Sequence, residues 1–172
     1  MAARIEEAKL TGFPTCSSKL EARVWAYQDA FEENRHRVYS LAFWMTDNEL
    51  AAEELTMNTF CRAFTLSPDP DAESVDRALV AELRELVPLG LLSLQCSPCS
   101  RVVGVRRNTK RVELERAVVQ LPATERMVFL FHDVELYEHA RISRILGLSE
   151  QESAYGLHQA RLRVREILAA MA

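Results

Sequence analysis

The segment ARISRILGLSEQESAYGLHQAR constrains the fold more than any other part of the sequence. Ile142, Ile145 and Leu146 follow the three-to-four-residue spacing of a buried helical face. Gly147 favours a stop, because glycine takes the left-handed conformation at a helix C-terminus without steric cost. Residues 149–152 then read Ser-Glu-Gln-Glu, which has the spacing of a capping box at the start of another helix. The pattern predicts two helices joined by a three-residue turn, as in a helix-turn-helix unit.

The flanking sequence predicts the rest of a three-helix domain. ATERMVFLFHDV, after a start signal at Leu121-Pro122, predicts a supporting helix with Met127, Val128, Leu130 and Phe131 on its apolar face. The second helix is expected over about Glu138 to Leu146. The third is expected to run to about Leu168, with a buried face of Ala154, Leu157, Ala160 or Arg161, Val164 and Leu168.

The third helix occupies the position of a recognition helix. In a helix-turn-helix unit this helix lies in the DNA major groove, with its N-terminal residues towards base edges. The residues predicted to be exposed there and to bind DNA are Gln151, Glu152, Ser153, Tyr155, Gly156, His158 and Gln159, with Arg161, Arg163 and Arg165 in reach of phosphates. A plain three-helix bundle with solvated arginines is the alternative, because this turn also occurs in proteins that never touch DNA.

Composition and charge define the fold class and the kind of partner. The 172 residues are 48% hydrophobic and include only five glycines and six prolines, and alternating strand patterns are scarce. Residues 1–100 carry 9 Lys and Arg against 16 Asp and Glu, whereas residues 101–172 carry 12 against 9. An acidic first half suits a protein partner, and a mildly basic second half suits a polyanion.

The order of these patterns predicts an all-α fold of two small helical domains joined by a linker, the C-terminal one a helix-turn-helix three-helix domain. The predicted segments are a loose leader at 1–18, an N-terminal helical domain at 19–87, a linker at 88–111 and the C-terminal domain at 112–172. The sequence SPDPD at 67–71 predicts a turn within the first domain.

Several classes of protein are disfavoured by the sequence. The longest apolar stretch is about eight residues, whereas a membrane helix needs roughly 20. The N-terminus lacks the apolar core of a secretion signal, so a cytoplasmic location is expected. Cys96 and Cys99 have CxxC spacing, but no second pair accompanies them. The histidines are scattered, so we expect no enzyme, no catalytic residues, no metal, no cofactor and no small-molecule substrate.

Two stretches resemble one protein family. LPATERMVFLF, ISRILGLSEQE and LHQARLRVREIL are similar to the −35-element-reading domain of bacterial RNA polymerase sigma factors, especially the extracytoplasmic-function group. FEENRHRVYSLAFWMTDNELAAEELTMNTFCRAF resembles the other conserved domain of the same family. The two matches cover more than half of the chain and occur in the family's order. The resemblance implies core RNA polymerase and promoter duplex DNA as partners, and an anti-sigma factor as a further one.

The resemblance also assigns a polymerase-binding helix. In the family, the helix that carries Glu53, Glu54 and Leu55 binds the coiled-coil clamp of the largest polymerase subunit. Helical spacing agrees, because it places Ala52, Leu55, Thr59 and Ala63 on one face. The residues left facing outward, predicted to bind polymerase, are Glu53, Glu54, Met57 and Asn58. A solvated acidic face is the alternative.

The sequence departs from the family pattern in three places. Glu54 and Met57 stand where the family usually has Asp and Gln. The segment 74–87, which corresponds to the −10-reading region, has no aromatic residue and only two arginines, so it lacks the rings and positive groove that capture single-stranded DNA. The early recognition helix has Glu152, Ala154 and Gly156 where the family often has Thr, Lys and Arg.

Three hypotheses follow from these matches and departures. The first is a working sigma factor that brings core polymerase to a promoter. The second is a sigma-like decoy that occupies an anti-sigma partner or the polymerase and has little promoter activity. The third is a stand-alone helix-turn-helix regulator that uses only residues 112–172.

Overall fold

The computed structural model describes residues 16–93 and 109–171, and within these ranges the regular secondary structure is entirely helical. Seven α-helices follow in order: α1 Cys16–Thr46, α2 Glu49–Leu66, α3 Ala72–Leu86, α4 Arg111–Val119, α5 Ala123–Phe129, α6 His139–Leu146 and α7 Glu150–Ala170. The all-α prediction is confirmed. Most of the predicted leader, and Cys96 and Cys99 of the predicted linker, lie outside the described residues.

The first three helices pack on one another and are separated by capped turns. Asn48 caps α2, because its side chain accepts a hydrogen bond from the Ala51 N–H at 3.0 Å. The predicted SPDPD turn separates α2 from α3, and its last residue, Asp71, caps α3 by accepting from the Ser74 N–H at 2.8 Å. Hydrogen bonds to Ser74 lower the pKa of Asp71.

The other four helices are α4 and the three helices predicted for the C-terminal domain, which are α5, α6 and α7. The predicted supporting helix is α5, which continues as a π-helical turn over Leu130–Val134. Its predicted apolar residues Met127, Val128, Leu130 and Phe131 are all buried. The predicted inward residues of α6, Ile142, Ile145 and Leu146, are buried as well.

The turn between α6 and α7 has the predicted geometry. Gly147 is left-handed, with φ 71°. Ser149 and Glu152 form the predicted capping box: the Ser149 N–H donates to the Glu152 carboxylate at 2.7 Å, and the Glu152 N–H donates to the Ser149 hydroxyl at 3.1 Å. These bonds lower the pKa of Glu152.

Both halves of the chain share one hydrophobic core. The buried apolar side chains, from Val38 in α1 to Ile167 in α7, form a single continuous cluster. Helix α1 contacts α4 and α5, and α3 contacts α6, so the two helical groups lie against each other. The segment after α3 also packs on the second group, since the Gly90 N–H donates to the Thr124 hydroxyl at 3.2 Å.

Candidate nucleic-acid interface

Helix α7 presents an outward ridge next to the capped turn. Gln151, Tyr155 and His158 recur at three-to-four-residue spacing and are exposed, as is Glu152 beside them. Tyr155 exposes 41% of its surface. A helix that follows a tight turn and exposes polar side chains in its first two turns has the geometry of a recognition helix.

The predicted exposure of three other residues on α7 is wrong. Ser153, Gly156 and Gln159 are buried, whereas Ala154, predicted to be buried, is exposed. The reason is that α7 packs against α4, α5 and α6, and the segment after α3 also covers it. The buried surface of α7 is therefore wider than that of an amphipathic helix that packs on only one side. It includes small and polar residues as well as apolar ones.

Two of these buried residues have specific neighbours. The Ser153 hydroxyl lies 2.9 Å from Nδ1 of His139 at the start of α6. A Cβ atom at Gly156 would lie 2.7 Å from a methyl group of Leu92, so the glycine allows Leu92 to sit against α7. Neither Ser153 nor Gly156 is free to meet a base edge in this arrangement.

The arginines near the middle of α7 are exposed but partly neutralised. Arg161 makes a two-pronged ion pair with Asp133, with an Nε–Oδ2 distance of 3.0 Å. Burial opposes ionisation of Asp133, but its bonds to Arg161 and His132 outweigh burial and lower the pKa of this carboxyl. Arg163 pairs with Glu166 at 3.1 Å. Arg165 is exposed.

Two histidines pack side by side beneath the recognition helix. The rings of His132 and His139 stack with centroids 4.8 Å apart. Burial lowers the pKa of His139, and the positive charge of Arg161 and the neighbouring His132 lower it further. Among the described residues no group of three His, Cys, Asp or Glu side chains is placed to hold a metal ion.

Helix α2 carries a second candidate surface. Its predicted buried residues Ala52, Leu55, Thr59 and Ala63 are buried. The four residues predicted to face outward are exposed, namely Glu53, Glu54, Met57 and Asn58. The exposed surface combines two carboxylates with a large apolar side chain, and Met57 exposes 62% of its surface.

Helix α3, in the −10-reading position of the resemblance, has several of its charged side chains bonded to other groups of the protein. Arg77 pairs with Glu73 at 3.0 Å, and Arg84 donates to the Leu146 carbonyl at 2.8 Å. Asp76 is fully buried and bonds to Arg141, which lies on α6. No local sequence pattern indicates that Asp76 is a buried partner of Arg141, since Arg141 lies 65 residues away.

The comparisons with known proteins agree with this geometry. Residues 111–164 match the family model Sigma-70, region 4. The sigma factor RpoE, in its co-crystal structure with the anti-sigma factor NepR from Bartonella quintana, superposes with a TM-score of 0.64. The match covers 83% of this chain and 96% of that chain, at 12% sequence identity. A search of the curated proteins found no match.

The helix-turn-helix and its family match define the class of the C-terminal part, a sigma-70 region 4 domain. The structural likeness extends the sigma-factor fold over most of the chain. Residues 111–164 therefore form a sigma-70 region 4 domain, and most of the chain has a fold similar to that of the sigma factor RpoE. Sigma factors are non-enzymatic transcription factors that direct RNA polymerase to promoters. Within the described residues no helix is both long enough and apolar enough to cross a membrane.

Proposed function

We propose that this chain is a sigma factor that binds core RNA polymerase through α2 and promoter DNA through the exposed ridge of α7. The observation that carries the DNA half is that ridge, since Gln151, Tyr155 and His158 point away from the core beside a capped turn. Gln can pair in two-pronged fashion with adenine, and exposed arginines can contact phosphates. The protein acts in the cytoplasm, without a cofactor and without catalytic activity of its own.

The polymerase half of the proposal is supported by charge and exposure on α2. Glu53 and Glu54 are exposed on the face opposite the buried residues Ala52 and Leu55. Exposed carboxylates favour encounter with a basic surface, and Met57 offers apolar area that such a contact could bury.

Charge reversal on α2 tests this assignment. Glu53→Lys combined with Glu54→Lys should abolish association with purified core polymerase in a pull-down or native gel. Glu85→Lys is the matched control, because Glu85 is an exposed carboxylate on α3 and its reversal makes the same kind of change. Retained association of the double variant would refute the assignment.

DNA binding is tested on the polymerase complex with a promoter fragment. Replacing Gln151 or Tyr155 by Ala should weaken binding to the promoter fragment. Each replacement should also lower the free-energy difference between the preferred base pair and a wrong one by about 1–3 kcal/mol. Binding unchanged in both variants would place the interface elsewhere.

A decoy function is the second candidate. It is favoured by α3, which has no aromatic side chain for melted DNA and whose Asp76 and Arg84 bond to the second half of the chain. The RpoE neighbour was solved with an anti-sigma factor, and we propose that this chain also binds one. Stable polymerase association without transcription from any candidate promoter would support the decoy.

A further inference from the structure

The recognition helix carries an arginine that is already bound to an acidic side chain of the same chain. The Arg161 guanidinium on α7 donates through Nε and Nη2 to the two carboxylate oxygens of Asp133, at 3.0 and 2.5 Å. Asp133 belongs to the π-helical turn Leu130–Val134 that continues α5. The hydrogen bond to Asp133 raises the pKa of Arg161, so the guanidinium is always charged. The contact is therefore a two-pronged ion pair between α7 and its supporting helix.

The Asp133 carboxylate is also held from its other side. Its Oδ1 atom lies 3.0 Å from Nδ1 of His132. An ionised carboxylate can only accept hydrogen bonds, so Nδ1 of His132 carries the proton and donates. The His132 ring stacks on His139, whose Nδ1 atom lies 2.9 Å from the hydroxyl of Ser153. Because Ser153 is buried on α7, the side chains that hold Asp133 are themselves anchored to the recognition helix.

Arg161 lies on the side of α7 that we propose to face DNA. At about 100° per residue, Arg161 is about 60° around the helix from His158, and Arg165 is about 20° from it. The Arg161 side chain is 47% exposed in spite of its ion pair. Arg163 is about 140° from His158, and it pairs with Glu166 at 3.1 Å. Arg161 and Arg165 are therefore the two arginines of α7 that extend the exposed ridge.

A carboxylate and a phosphate compete for the same guanidinium, because both accept two parallel N–H bonds from arginine. While Asp133 accepts from Nε and Nη2 of Arg161, a DNA phosphate can reach only the remaining N–H groups. The negative charge of Asp133 also repels that phosphate. Sequence-independent binding of DNA comes from phosphate contacts. The ion pair therefore cancels most of what Arg161 would add to the binding of an arbitrary duplex.

We propose that Asp133 is an internal substitute for a DNA phosphate, which occupies the Arg161 guanidinium and so weakens sequence-independent binding of duplex DNA by α7. The base contacts of the exposed ridge are then left to decide where α7 binds. Asp133 is in this sense a positioning residue that acts through Arg161. The proposal rests on the proposed DNA binding through α7.

The salt dependence of binding to a random-sequence duplex tests the role of Asp133. Fluorescence anisotropy of a labelled duplex, titrated with the full chain, gives the affinity at each salt concentration. Asp133→Asn keeps the shape of the side chain but removes its charge, so Arg161 should gain one phosphate contact. The slope of log affinity against log salt should steepen by about 0.9, so that affinity falls about 3.5-fold further between about 50 and 200 mM salt.

Two further variants control this measurement. Glu166→Gln is the matched control, because it neutralises a carboxylate on the same helix and releases Arg163 instead; it should leave the slope nearly unchanged. Arg161→Gln, added to Asp133→Asn, should return the slope to that of the natural chain. Equal steepening in Glu166→Gln, or steepening that survives the loss of Arg161, overturns the proposal.

The natural chain supplies a second measurement, which does not depend on the folding of Asp133→Asn. In a ¹⁵N-labelled chain, the Nε–H signals of the arginines on α7 can be followed by NMR while the random-sequence duplex is added. The signal of Arg161 should move much less than that of Arg165, because Asp133 keeps Arg161 from the phosphates. Equal movement of the two signals overturns the proposal.

Two outcomes distinguish failure of this proposal from failure of the proposed function. If Arg165→Ala flattens the salt dependence but Asp133→Asn does not steepen it, α7 still binds DNA and only the role of Asp133 is refuted. If the natural chain and every variant fail to bind the duplex even at about 50 mM salt, DNA binding by α7 fails and this proposal fails with it.

Discussion

Gly156 and Leu92 form a contact whose energetics can be worked out from the structure. In the interior of a helix, alanine is favoured over glycine by about 1 kcal/mol. At Gly156, however, the new methyl carbon would lie 2.7 Å from Leu92 Cδ2, well inside the roughly 3.5–4.0 Å of a normal carbon contact. The contact is with the end of a flexible side chain, so Leu92 would move rather than the helix.

The loss of Leu92 burial should offset the stability gained from the higher helix preference of alanine. Full burial of a leucine side chain contributes about 1.5–3 kcal/mol, and Leu92 is only partly buried, so its displacement should cost about 1 kcal/mol. Gly156→Ala should therefore leave the free energy of unfolding nearly unchanged in the natural chain. In a Leu92→Ala background it should stabilise by about 1 kcal/mol, because the clashing methyl groups are gone.

Urea unfolding of the four proteins in this double-mutant cycle measures the coupling. Ala154→Gly is the matched control, since Ala154 is exposed on the same helix. This substitution should lower the free energy of unfolding by about 1 kcal/mol in either background. If Gly156→Ala stabilises equally with and without Leu92, the segment after α3 does not pack on the recognition helix, and the contact between Gly156 and Leu92 is refuted.

Three other predictions concern the helix-turn-helix. Ser149→Ala removes an N-cap and should cost about 1 kcal/mol, lowering the melting temperature by about 2–4 °C in calorimetry; an unchanged melting temperature would contradict the cap. Because the folded pKa of His139 is depressed, the unfolded state binds more protons near pH 6.5, so stability should fall as pH drops through that value. His139→Gln should flatten this dependence in urea midpoints taken between pH 7.5 and 5.5, and an equally steep dependence would refute it. Arg165→Ala should reduce the slope of log affinity against log salt by about 0.9, and Arg161→Ala by less because Asp133 already neutralises it; equal changes would argue against that neutralisation.

Two features of the fold could be predicted from the sequence. These are the helix boundaries at the turns and the choice of which face of α2 is buried. Gly147, the Ser149 capping box and the SPDPD turn act through hydrogen bonds and dihedral preferences within a few residues, so the information is local. The buried face of α2 was also predictable, because one side of that helix packs on the core while the other stays exposed.

Burial on α7 and the polar contacts between the halves were decided only by the tertiary structure. Ser153, Gly156 and Gln159 are buried because α7 is covered from more than one side, and helical spacing cannot reveal a second covering surface. Asp76 reads as a solvated carboxylate on an amphipathic helix, yet its donors lie 39, 61 and 65 residues away. Local preference follows from neighbours along the chain, whereas pairing of a buried charge depends on which distant side chains the packed helices bring within hydrogen-bonding distance.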